Sequence, residues 1–214
     1  SFCNKLYEKL NLGEIDLSEK IKIFTRYRID NLIINYGTKP YFIYRKLNMT
    51  PNDLTSISLI FGLLTIYSFY QQYFILASIL YFISYSYDAF DGNYARKYNM
   101  VSKFGDYYDH FKDISVNLLL LYVFYKYMTF KAYPKLIALV VAITIFLFIT
   151  FNIHLGCQEI YVSKNDKKNK SGFLGFTMSL CHKNIYKNIH ILRYFGNGVF
   201  ALWICFLILL NKFF

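Results

Sequence analysis

A chain of 214 residues has room for one domain, but 56% hydrophobic and 21% aromatic residues against only 17% charged exclude an ordinary soluble fold and point to an integral membrane protein. The net charge of +11 lies outside the apolar runs, where it suits anionic lipid headgroups or phosphorylated substrates. No nucleic-acid recognition module accompanies it, so nucleic acid is not an expected partner.

The first part of the chain reads as juxtamembrane. Nothing at the N-terminus has the shape of a signal peptide, and the first membrane span is expected to serve as the insertion signal. Residues 18–34 mix basic side chains with Ile23, Phe24, Tyr27 and Ile34, a pattern for a helix lying on the membrane surface or packed on the rest of the protein. Gly37 breaks it, and Thr38 with Pro40 opens a second short helix carrying Tyr41, Tyr44, Arg45 and Lys46.

Thr50-Pro51-Asn52-Asp53 is a helix start, with Thr50 as N-cap, Pro51 at the first helical position and an acid at the third. The first span follows to about Tyr70. A tight turn at Gln71 and Gln72 leads into a second span from about Phe74 that runs straight into Asp88. A third helix begins near Gly105, carries Asp109 and Asp113 in its first turns, and continues to about Met128. The fourth is PKLIALVVAITIFLFITFNI, and a fifth runs from about Tyr194 to Leu210, interrupted early by Gly196 and Gly198. Residues 154–190 carry many lysines and an apolar patch, GFLGFTMSL, too short to span, and are expected to form a loop. The expected fold is thus all-α: a polytopic helical bundle with five clear transmembrane helices, residues 50–214, behind a juxtamembrane segment, residues 1–49. Basic residues cluster on one side, which places the N-terminus in the cytoplasm by the positive-inside rule; Lys126, Lys131 and Lys135 lie on the other side.

The four cysteines, Cys3, Cys157, Cys181 and Cys205, include no CxxC pair and predict no disulfide framework. His154, Cys157, Cys181 and His182 form an HxxC and CH arrangement that zinc could use, though the spacing is not a recognised ligand set.

The chemistry concentrates between Asp88 and Asp113. Asp88 and Asp91 are i, i+3 on one helix, and Asp109 and Asp113 are i, i+4 on the next, so each pair projects from one face. Carboxylates beside apolar spans are expensive and usually functional, and a cage of mutually repelling anions calls for one or two divalent cations such as magnesium, whose usual partners are phosphate oxygens. Gly92 and Gly105 remove side chains beside the acids, and Arg96, one turn beyond Gly92, suits a phosphate through its planar fork. Together these residues suggest metal-assisted transfer of a phosphorus group.

Asp88-x-x-Asp91-Gly92-x-x-Ala95-Arg96, followed by Gly105-x-x-x-Asp109-x-x-x-Asp113, resembles the complete signature of the CDP-alcohol phosphotransferases, also called CDP-alcohol phosphatidyltransferases. Thr50-Pro51-Asn52-x-x-Thr55 is similar to the element that opens the first span in many members, so the resemblance covers about residues 40 to 130. It implies displacement of CMP from a CDP-linked alcohol donor by the hydroxyl of an acceptor alcohol. By position, Asp88, Asp91, Asp109 and Asp113 would be ligands of magnesium or manganese, two ions, and Asp113 would also act as general base. Gly92, Ala95, Arg96 and Gly105, with Asn52 and Thr55, would bind the CDP moiety. The family also implies six spans with both ends cytoplasmic, a cytoplasm-facing site, and a homodimer.

The less specific readings are a solvated acidic loop and, for the whole chain, a non-catalytic membrane scaffold or cation-binding protein. Asp106 reads as a solvated first-turn acid favourable to the helix dipole, and Lys97 and Lys103 as headgroup-facing. For substrates, DAFDGxxAR with SKFG resembles the inositol-lipid synthases, whereas Asp109-His110 resembles the choline and ethanolamine phosphotransferases. Lys103, Lys112 and Arg193 are candidates for a basic pocket around a phosphorylated acceptor.

Overall fold

The computed structural model describes residues 28–165 and 191–214. Among them every regular element is helical: α1 (Arg28–Gly37), α2 (Tyr41–Lys46), α3 (Pro51–Tyr70), α4 (Phe74–Lys97), α5 (Lys103–Tyr127), α6 (Pro134–Asn165) and α7 (Asn197–Leu210), with 3₁₀ turns at Thr129–Ala132 and Arg193–Phe195. The expected all-α membrane architecture is what is found.

The start of α3 follows its sequence. Thr50 is the N-cap with Pro51 behind it, and the Asp53 carboxylate reaches back to accept from the Thr50 backbone N–H at 2.6 Å and from its hydroxyl at 2.9 Å. One face of α3 then presents Thr55, Ser58, Gly62, Thr65 and Phe69, all buried, at a helical period. Small residues on a membrane helix let neighbouring backbones approach closely. Ser58 and Ser84 each donate a hydroxyl to the other's carbonyl, at 2.9 and 2.8 Å, which ties α3 to α4. A Cβ added at Gly62 would meet both methyls of Val116 at 3.0 Å, so α5 packs on the same face. The tight turn between α3 and α4 uses Gln72 in the left-handed region, φ 63°.

Two cores lie at opposite ends of this three-helix unit. Around the α3–α4 turn, Phe69, Phe74, Ala77 and Val123 pack with Ile208 of α7. At the other end, Tyr41, Leu54 and Tyr94 are buried together, with Tyr44, Tyr87, Phe90 and Tyr98 against them. The Tyr41 hydroxyl donates to the Phe90 carbonyl and the Asn93 side chain, both at 3.1 Å, and the Tyr94 hydroxyl to the Met49 carbonyl at 3.1 Å. The predicted short helix α2 therefore clamps the charged end of α4.

α7 docks on α4 through Ser78, whose hydroxyl donates to the Cys205 carbonyl at 3.2 Å. α6 is the outermost helix: its apolar window is 0% buried, and it meets α7 through the Trp203 indole N–H on the Thr144 hydroxyl at 2.9 Å. Apolar side chains exposed along a helix of this length among the described residues suit hydrocarbon. On length and composition Pro51–Tyr70, Pro134–Gln158 and Arg193–Leu210 can cross a membrane.

Two expectations need correction. The segment from His154 is not a loop at its start, because α6 continues to Asn165. From His154 to Ser163 there is no proline and only one glycine, so nothing interrupts the hydrogen-bond ladder. Cys157 is buried and disulfide-bonded, against the expectation of no disulfide. Pairing depends on proximity in space rather than on sequence spacing, and the bond removes the thiolate that zinc would need. Residues 18–27 of the first expected helix, the GFLGFTMSL patch, Cys3, Cys181 and His182 lie outside the described residues.

Candidate active site

The acids of α4 sit near its C-terminal end, and those of α5 in its first turns. Because α4 and α5 are joined by a short connection, these ends are neighbours. α5 starts at Ser102, whose hydroxyl accepts from the Gly105 backbone N–H at 3.0 Å. Asp88, Asp91 and Asp109 then each offer an oxygen to one point, these atoms lying within 4.8 Å of one another. α3 supplies the floor: the Thr55 hydroxyl donates to Asp91 Oδ2 at 2.6 Å, and the Asp91 side chain is buried.

Asp113, one turn along α5, joins through a cation that the chain itself provides. The Lys112 side chain is 3% exposed and its Nζ lies 2.9 Å from Asp113 Oδ1 and 3.1 Å from Asp109 Oδ1, with Asp88 Oδ1 in direct contact. The Ser58 hydroxyl, at 3.5 Å, completes its surroundings. Asp109 Oδ1 is buried, with the Lys112 ammonium as its ionic partner. Hard carboxylate oxygens converging in this way are a donor set that fits a divalent cation such as Mg²⁺.

The family model for CDP-alcohol phosphatidyltransferase matches residues 48–210, most of the chain. The chain belongs to this family. The family is named for phosphatidyl transfer from CDP-alcohols. The chain is also similar to the archaetidylinositol phosphate synthase of Pyrococcus horikoshii, 46% identical over 63 residues, which are 29% of this chain and 34% of that relative. The match thus spans about a third of the relative's length. No solved structure matches the chain.

The remaining signature residues lie on the same ends of α3, α4 and α5. A Cβ at Gly92 would meet the Arg96 guanidinium at 3.2 Å, and one at Gly105 would meet the Asn52 side-chain oxygen at 3.0 Å and the Ser102 hydroxyl at 3.1 Å. The space that each glycine opens therefore lies beside a polar side chain expected to bind CDP. Thr55, expected near the nucleotide, is engaged with Asp91. Ala95 is half-buried on the same end of α4. Asp106 is an exposed first-turn acid, as expected, with His110 Nδ1 held 2.7 Å from its carbonyl. Of the candidates for a basic acceptor pocket, Lys112 instead points into the cage and Lys103 is exposed. Sequence reasoning missed the cage role of Lys112, although its position, i+3 from Asp109 and next to Asp113, is a visible signal. Ser58 was missed too, as one small residue within an apolar run.

Proposed function

We propose that this chain transfers a phosphoalcohol group from a CDP-linked lipid to the hydroxyl of a small polar acceptor with release of CMP, and that the acceptor is an inositol phosphate. The reading rests on one observation above the others, the convergence of the signature carboxylates Asp88, Asp91 and Asp109 on one point with Asp113 beside them. The choice of acceptor rests on the name of the matched relative, an archaetidylinositol phosphate synthase, together with the DAFDGxxAR and SKFG segments.

In the proposed reaction the acceptor oxygen forms a bond to the phosphorus next to CMP, and the bond from that phosphorus to the CMP oxygen breaks with its electron pair. Asp113 is the most exposed of the acids that Lys112 touches, with its side chain 49% exposed, so an acceptor hydroxyl can reach it. Its carboxylate takes the hydroxyl proton as general base. Arg96, beside Gly92, orients the diphosphate, and Asn52, beside Gly105, faces the nucleotide. Thr55 holds Asp91 in place. A divalent cation held by Asp88, Asp91 and Asp109 would supply charge neutralisation to the phosphate oxygens.

α3 to α6, and α7 together with the turn before it (Arg193–Leu210, 18 residues), are proposed to cross the membrane. α4 and α5, with 24 and 25 residues, reach about 36 Å at about 1.5 Å per residue, enough for a hydrocarbon core of about 30 Å with a charged end left over. That charged end, with Arg96, Lys97 and Lys103, is proposed to face the cytoplasm. The test is CMP release by purified protein offered CDP-linked lipid with inositol phosphate, inositol, serine or glycerol phosphate, and CDP-choline with diacylglycerol. The proposal expects release with the first donor and inositol phosphate. Release only from CDP-choline would assign the chain to the opposite donor class.

A further inference from the structure

At the charged end of α4 a second group of side chains stands apart from the carboxylates. Arg45, in the last turn of α2, lies with its guanidinium over the Tyr98 ring, 4.7 Å from the ring centre. Lys97, in the last turn of α4, approaches the same ring at 5.8 Å and the Tyr41 ring at 5.5 Å. Two cations from two helices therefore gather around one tyrosine, and Lys46, next to Arg45 in α2, is exposed as well. Among the described residues none of these three cations makes an ion pair with a carboxylate.

The same short helix turns apolar side chains outward. Tyr41 is buried against α4, whereas Phe42, Ile43 and Leu47 are all exposed. Fixed cations without fixed anions, rimmed by exposed apolar side chains, match the headgroup layer of a membrane, where phosphates lie directly above hydrocarbon.

We propose that Arg45 and Lys97 form a seat for the phosphate of an anionic phospholipid, with Phe42, Ile43 and Leu47 entering the acyl boundary beside it. A guanidinium lying over a ring keeps its in-plane N–H groups for a phosphate, and the Lys97 ammonium supplies a second charge. Two cations around one ring repel each other, and an anion seated between them turns that repulsion into attraction. A zwitterionic lipid suits the seat less well, because its own ammonium competes for the phosphate. The seated lipid would join α2 to the end of α4, where the Tyr41 hydroxyl already donates to the Phe90 carbonyl and the Asn93 side chain. This surface lies outside the carboxylate cage, and the inference holds with or without the transferase reading.

The test is the melting temperature of purified protein in neutral detergent micelles doped with phosphatidylglycerol, with phosphatidylcholine, or with inorganic phosphate and no lipid. It is measured for wild type, Arg45→Gln/Lys97→Gln and Lys126→Gln. Lys126 is the matched control, an exposed lysine over the Tyr122 and Tyr127 rings at the opposite end of α5. Phosphatidylglycerol is expected to raise the melting temperature above its value in phosphatidylcholine for wild type and Lys126→Gln, and the double variant is expected to lose more than half of that rise. Wild type that melts equally in the two lipids, a double variant that keeps half of the rise or more, or a Lys126→Gln loss as large as that of the double variant overturns the inference. An equal rise with inorganic phosphate alone means that the seat takes a free anion rather than a lipid, and overturns it too. Should the double variant fail to fold, Arg45→Gln and Lys97→Gln decide singly, each expected to lose part of the rise, and a full rise in both counts against the seat.

Discussion

Asp113 and Thr55 lie on adjacent helices and do different work. Asp113 is where the proposed reaction leaves its proton, so Asp113→Asn is expected to abolish CMP release while leaving the melting temperature near that of wild type, because the amide has nearly the same shape. A melting temperature that collapses along with activity would show a structural role instead. Thr55 acts through Asp91, whose buried carboxylate accepts its hydroxyl at 2.6 Å. Hydrogen bonds to charged groups contribute about 1.5–3 kcal/mol, and each 1.4 kcal/mol corresponds to about a tenfold change in rate. Thr55→Val is therefore expected to lower kcat by at least about tenfold, with Thr55→Ser close to wild type. If Thr55 touches the nucleotide instead, the loss will appear in KM for the CDP donor.

At the scale of elements, the cage depends on three helices meeting at close range. Gly62 lets α3 approach Val116 of α5, and a larger side chain there must push the two helices apart. Gly62→Leu is expected to destabilise the protein by about 1–3 kcal/mol, the usual range for overpacking, measured as a lower melting temperature in detergent. Activity should fall with it, because Lys112 and Asp91 lose their partners on α3. Unchanged melting would mean that α3 and α5 are not packed through this face. The helices themselves were legible in the sequence. Thr50-Pro51 and Gly37-Thr38-x-Pro40 are start and stop signals with a local mechanism, and the apolar runs of α3, α6 and α7 need no tertiary information. The signature acids were legible because their spacing puts each pair on one face. What could not be read was contact across helices: that Thr55 would hold Asp91, and that Ser58 and Ser84 would exchange hydrogen bonds. The continuation of α6 past His154 escaped for a different reason. Its lysines suggested a loop, yet charge alone does not end a helix.

The cage lies at one end of a helix bundle that exposes apolar side chains along its length among the described residues. Ile60 and Leu63 of α3, Leu118, Leu121 and Tyr125 of α5, and Ile145 and Phe148 of α6 are exposed, as hydrocarbon-facing residues should be. The connection between α4 and α5, with Val101 66% exposed, lies beside the site on the side proposed to be cytoplasmic. Val101→Cys is expected to react with a membrane-impermeant maleimide in inside-out vesicles and to stay unlabelled in right-side-out ones, with the wild-type background measured in parallel. The reverse pattern would place the site outside.

Asp88, Asp91, Asp109 and Asp113 are proposed to form one metal-dependent centre for transfer from a CDP-alcohol. That centre is tested most directly by following CMP release from CDP-linked lipid and inositol phosphate as Mg²⁺ is titrated into chelator-treated protein, for wild type and Asp91→Asn. Release is expected to be absent without metal, to rise saturably with Mg²⁺ in wild type, and to fall by at least about a hundredfold in Asp91→Asn. Equal rates in EDTA and in Mg²⁺, or an Asp91→Asn variant as active as wild type, would contradict it.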